Sequence, residues 1–147
     1  MRLIRWLALF LVAVPILVVA QGVAQGEPLG AEDARSVRQV VESQLKALAE
    51  GRAGDAFAFA SPSIQRQFGD AAGFAEMVER SYPMLVHPAS IGFFVPSTHH
   101  GAVLQAVHFR DVDGHLWRAV YELERQPDRS WRIDGCVVSP DNESSTT

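Results

Sequence analysis

A chain of 147 residues, 48% of them hydrophobic, is long enough for one domain with a true core. Its 17 acidic against 13 basic side chains, net −4 with no basic stretch, argue against nucleic acid, whose phosphates are met by clustered Lys and Arg. The single cysteine, Cys136, excludes an intramolecular disulfide, so stability rests on packing, and Cys136 itself reads as a small buried apolar residue.

Residues 1–24 read as a secretory signal peptide: Arg2 and Arg5 precede the apolar run from Trp6 to Ala20, and small residues follow. Cleavage fits after Ala20 or after Ala24, and the second is preferred because residues 25–33 read as linker. The run is short against the roughly 20 residues of a spanning helix. A retained anchor is the alternative, since residues 3–20 are interrupted only by Arg5. Either way the expected destination is outside the cytoplasm, in the periplasm or beyond, with no stable membrane span unless the signal is kept.

Val37, Val40, Val41, Gln44, Leu45 and Leu48 recur at three- and four-residue spacing and predict a long helix, with Glu32 and Asp33 in its first turn and Gly51 as its stop. Asp55 caps a short second helix over residues 56–60, where Phe57 and Phe59 clamp both sides. Ser61 followed by Pro62 restarts the chain as a helix cap. A third helix begins near Asp70, carrying Phe74, Met77, Val78, Ser81, Tyr82 and Leu85, and Pro83 ends or kinks it.

From Ala89 to Pro140 the pattern alternates with period two and predicts four antiparallel strands. In the first, Ile91, Phe93 and Val95 alternate with Gly92, Phe94 and Pro96, and Pro96 implies an edge or a bulge. A turn over residues 98–101 leads to a strand over 102–110. The turn Asp111 to Gly114 leads to a strand over 115–124. Counting outward from a four-residue turn pairs His108 with Trp117, Ala106 with Ala119, and Leu104 with Tyr121. One inner face then holds Leu104, Ala106, His108, Trp117, Ala119, Tyr121 and Leu123. An odd-length loop around Pro127 adds Trp131, Ile133, Gly135 and Val137. The other face, with Val103, Gln105, Val107, Phe109, Leu116, Arg118, Val120 and Glu122, is apolar enough for a homodimer contact.

Helices segregated ahead of an antiparallel sheet specify an α+β class: three N-terminal helices on a curved sheet of about four strands, over residues 34–139, with a disordered tail at 140–147. The layout resembles the nuclear-transport-factor-2-like cone, in which the sheet wraps a long helix and leaves a pocket. Members of that architecture carry a further short strand after the second helix, for which this chain offers no clear candidate. Three strings, Ala56 to Gln65, Met77 to Tyr82 and Trp131 to Cys136, resemble a family of short exported bacterial proteins known only as domain of unknown function 4864. The resemblance implies no activity, substrate or site.

On the expected inner face His108 and Tyr121 are the polar intruders, with Tyr82 reaching in from the third helix and Trp117 beside them. A His and Tyr pair in an apolar cone either grips a polar ligand or serves as base and oxyanion donor. The leading reading is a non-catalytic exported module that binds a small apolar or amphipathic ligand or a protein partner. The alternatives are a small-molecule enzyme of isomerase or lyase type using the His108 and Tyr121 pair, and a structural dimerisation domain. No metal or cofactor is expected. His87, His99, His100, His108 and His115 lack ligand spacing, and the string Asp111 to Gly114 is a hairpin turn without the Glu that a calcium loop requires.

Overall fold

A computed structural model describes residues 27–142, so the expected signal peptide lies outside the described residues. No helix among them is long and apolar enough to cross a membrane. The long helix α1 runs Ala31–Ala49, with Glu32 and Asp33 at its N-terminal end and Lys46 in its last turn, as the helix dipole favours. It starts before the expected domain boundary at residue 34. The expected linker contributes a two-residue strand, β1 (Glu27–Pro28), to the edge of the sheet.

Helix α2 is Ala53–Ala58, with Asp55 in its first turn instead of at its cap. Phe57 packs on Phe74 with ring centres 5.6 Å apart. Ser61 caps α3 (Pro62–Phe68): its Oγ accepts from Ile64 N at 3.2 Å. Asp70 caps α4 (Ala71–Ser81) through Gly73 N at 2.7 Å. Helix α4 ends at Tyr82, and Pro83 heads the single turn α5 (Pro83–Val86).

The remaining strands are β2 (Ser90–Phe93), β3 (Ser97–His99), β4 (Ala102–Arg110), β5 (Leu116–Arg125) and β6 (Trp131–Pro140). They form one curved six-stranded antiparallel sheet ordered β1-β3-β4-β5-β6, with β2 also pairing β4. The expected first strand is thus broken in two. Phe93 pairs Val107 and Ser97 pairs Leu104, so three residues oppose two, and the bulge falls at Pro96, which has no N–H to give the ladder. Gln105 fills the gap: its Nε2 donates to Phe94 O at 2.7 Å. His100 and Gly101, both at positive φ, make the tight turn into β4, which lets β3 extend to His99 where a turn was expected.

The β4–β5 register differs from the expected one by a single residue. Asp111 N donates to His115 O, Gly114 N donates to Asp111 O, and Gly114 sits at φ +88, so the loop has five residues with Gly114 as a bulge. His108 therefore pairs Arg118, Val107 pairs Ala119 and Gln105 pairs Tyr121. Every β4 side chain changes face: Val103, Gln105, Val107 and Phe109 turn inward, and Leu104, Ala106 and His108 turn outward.

The β5–β6 loop is odd, as expected, and puts Trp131 and Ile133 inside. A second bulge then intervenes, because Leu123 pairs Ile133 while Glu122 pairs Gly135. Asp134 is the extra residue. Beyond it Cys136 and Val138 face inward, while Val137 is 70% exposed on the outer face.

Two clusters form the core. Val37, Val41 and Leu45 of α1 pack on Val107, Phe109, Ala119, Tyr121, Leu123, Trp131 and Ile133 of the sheet. Leu48, Ala56, Phe74, Val78 and Val86 bind the helices to one another. Each large side chain buried in this way contributes about 1.5–3 kcal/mol. At the C-terminal end of the described residues, Asp141 N donates to Leu116 O, and its carboxylate pairs with Arg118 at 3.3 Å.

Candidate functional site: an apolar cavity between the helices and the sheet

Where the two clusters part, a half-open cavity of about 330 Å³ remains. Gln44 and Leu48 of α1 form its inner end. Ile64 and Phe68 of α3, with Phe74, Met77 and Val78 of α4, form one wall, and Tyr121, Ile133, Cys136 and Val138 of the sheet form the other. The Asp134 bulge is what aims Cys136 and Val138 into this space.

Helix α3 has no buried residue; Ile64 and Phe68 pack against the helical cluster, and its N-terminal end is tied to β6. Ile133 N donates to Phe59 O and Ser61 N donates to Ile133 O, each at 2.8 Å, so Ala60 makes a one-residue parallel bridge to β6. Ser61 is fully buried, and its Oγ donates to Asp134 at 2.6 Å. Gln65 Nε2 donates to the carbonyls of Phe57 and Ala60, and Arg132 donates to Ala58 O. Two of the strings that carry the family resemblance thus meet in space and fix one rim of the cavity. The bridge at Ala60 also stands where the sequence offered no strand after the second helix.

The lining is apolar apart from Gln44, Gln67, Tyr82, Tyr121 and Cys136. No carboxylate, histidine, lysine or arginine lines it among the described residues. Cys136 is an exposed residue, yet the side chains that line the cavity beside it are mostly apolar. Desolvation there pushes its thiol up to about 12, only partly offset by a hydrogen bond with Tyr121. Burial likewise holds the Tyr121 phenol well above its ordinary 10.0. Both groups are neutral at physiological pH. Neither is a base or nucleophile of matched pKa.

Of the four residues singled out from the sequence, Tyr121 and Tyr82 line the cavity. Trp117 faces inward at the far end of β5, where its Nε1 donates to Asp111 Oδ2 at 2.9 Å. His108 is on the opposite face: its ring lies over Gly92, where a Cβ would collide with the imidazole, and stands edge-on to Phe94 at 5.3 Å. The expected shared face of His108 and Tyr121 is corrected by the Gly114 bulge. No joint chemistry is open to two rings on opposite sides of a sheet.

Among the polar lining residues, Gln44, Gln67 and Cys136 are not singled out as site residues by the sequence. Gln44 carried a signal, an amide inside an otherwise aliphatic helical stripe. Cys136 carried none, because its direction depends on the Asp134 bulge. Asp111, Asp113 and His115 bring ligand atoms within 4.8 Å of one another. Asp111 is occupied in the turn, accepting from Asp113 N, His115 N and Trp117 Nε1, which hold its carboxyl below the usual carboxylate range.

The family model described as a domain of unknown function (DUF4864) matches residues 30–146, and the chain belongs to that family. No curated protein and no solved structure matches the chain.

Proposed function

We propose that this member of the domain-of-unknown-function family 4864 is an exported, non-catalytic module that binds a small apolar or amphipathic ligand in the cavity between α3, α4 and the β5–β6 face. The observation that carries the reading is a 330 Å³ concavity, at the small end of ligand sites, lined by aliphatic and aromatic side chains without an acid–base pair. The cone-like wrapping of the sheet around α1 supports it, as does the charged-then-apolar start of the chain for export.

The test is native mass spectrometry of protein purified gently from its host, together with a thermal-shift screen of neutral lipophilic compounds. A retained mass, or a melting temperature that climbs with ligand concentration, is the expected result. Protein that carries nothing and responds to no compound at millimolar concentration would end the proposal.

A second reading, self-association through the outer face, is supported by the cross-strand row Ala106, Val120 and Val137, the last 70% exposed. Light scattering at rising concentration decides it. A mass that stays monomeric, unchanged by Val137→Asp, rules it out.

A further inference from the structure

We infer that Gln44 selects the ligand by presenting an unpartnered acceptor, so that the cavity takes a neutral, otherwise apolar molecule bearing one hydrogen-bond donor, a hydroxyl above all. This rests on the reading of the cavity as a ligand site.

Gln44 is 4% exposed on the core-facing stripe of α1, between Val41 and Leu45, and it lines the cavity. Its Nε2 donates to Ala56 O at 3.2 Å, which fixes the orientation of the amide. The Oε1 is then the atom left over. Among the described residues nothing donates to it, and unlike Gln105 Oε1 it is not cut off from solvent, whereas a side chain required only for packing at this position would be Leu or Met.

An amide oxygen that a ligand covers, losing its water without gaining a donor, opposes binding of a pure hydrocarbon. A ligand O–H restores the bond. The same logic excludes charged ligands: a carboxylate or an ammonium would enter a space that has no opposite charge to meet it. Acceptor, apolar walls and absent charge together specify an alcohol or phenol in preference to a fatty acid, an amine or an alkane.

Three probes sharing one propylphenyl skeleton separate these cases: 4-propylphenol, propylbenzene and 4-propylbenzoate. Calorimetric titration of the protein is expected to give 4-propylphenol an affinity on the order of tenfold above propylbenzene, a buried neutral hydrogen bond being worth about that factor. The benzoate should bind weakest. Gln44→Met, of similar length, should bring phenol and hydrocarbon to parity while propylbenzene still binds, and Gln44→Leu provides the same comparison should the first variant fold poorly. Slower alkylation of Cys136 by iodoacetamide with 4-propylphenol bound would place the probe in this cavity.

Equal affinity of the two neutral probes for the wild type, a preference that survives in Gln44→Met, or tightest binding by the benzoate would each overturn the assignment to Gln44 and leave the cavity reading standing. Failure of all three probes to bind would overturn both.

Discussion

Cys136 shows how one side chain can be reachable and unreactive together. The residue is exposed and lines the cavity, but desolvation disfavours the thiolate, and the thiolate is the reacting species. Alkylation by iodoacetamide near neutral pH is expected to be roughly a hundredfold slower than for a free thiol in the same buffer. A rate equal to that of the free thiol would show the site to be polar. Gln105 is the opposite case, fully buried and committed. Its Nε2 holds the carbonyls of Phe94 and Ala106, while its Oε1 has no hydrogen-bond partner. Gln105→Glu replaces the donor by a charge with nothing to meet it and is expected to cost more than Gln105→Leu, which strands the Phe94 carbonyl, about 1–3 kcal/mol, and removes one unmet oxygen, Ala106 O keeping its bond from Phe94 N. Denaturant midpoints of the two variants test the order, and the reverse order would mean that the amide does not pin the bulge.

At the scale of elements, two hairpins follow one plan with different residues. The loops over 111–115 and 126–130 each close with a bulge residue at positive φ: Gly114 at +88 in the first, Arg129 at +71 in the second. A side chain in that conformation costs about 1–2 kcal/mol. Gly114→Ala is therefore expected to destabilise by about 1 kcal/mol, and Arg129→Gly to stabilise by a few tenths, since glycine's unfolded-state entropy offsets part of the relief. Thermal melts should move in opposite directions. Helix α3 depends on the junction at Ser61, which caps it and binds Asp134. Ser61→Ala removes both contacts, with an expected loss of about 2 kcal/mol. Amide exchange should rise first in residues 61–68, and uniform loosening would show that α3 is held by something else.

The whole molecule should have a stability profile bounded on both sides of neutrality. Cys136 and Tyr121 are raised in the folded state, so their contribution is complete below their ordinary values, 9.0 and 10.0, and is lost as the pH rises toward the folded values, about 12 for Cys136. Asp111 and Asp128 are lowered by hydrogen bonds in the two hairpin loops, from Trp117 and from Ser130 respectively. Their contribution is complete above 3.8 and is lost as the pH falls through the folded values. Denaturant midpoints across pH should fall on both limbs, and Cys136→Val should flatten the alkaline one. An alkaline limb unchanged in that variant would assign it to Tyr121 alone.

Element order, the α+β class, the stripe on α1 and the inward side of β5 were legible in the residues, because helical and strand periods are written locally. Even the better choice for β4 was present: Val103, Val107 and Phe109 are bulkier than Leu104, Ala106 and His108, and a core takes the bulkier set. The turn count overrode that signal. What only the tertiary structure decided was register. One extra residue at Gly114, at Pro96 or at Asp134 costs little where it occurs, yet it inverts the facing of the side chains on one side of it relative to those on the other. That is why His108 left the interior and Cys136 entered the cavity: a period of two labels two faces, and only packing against α1 determines which of them is inside.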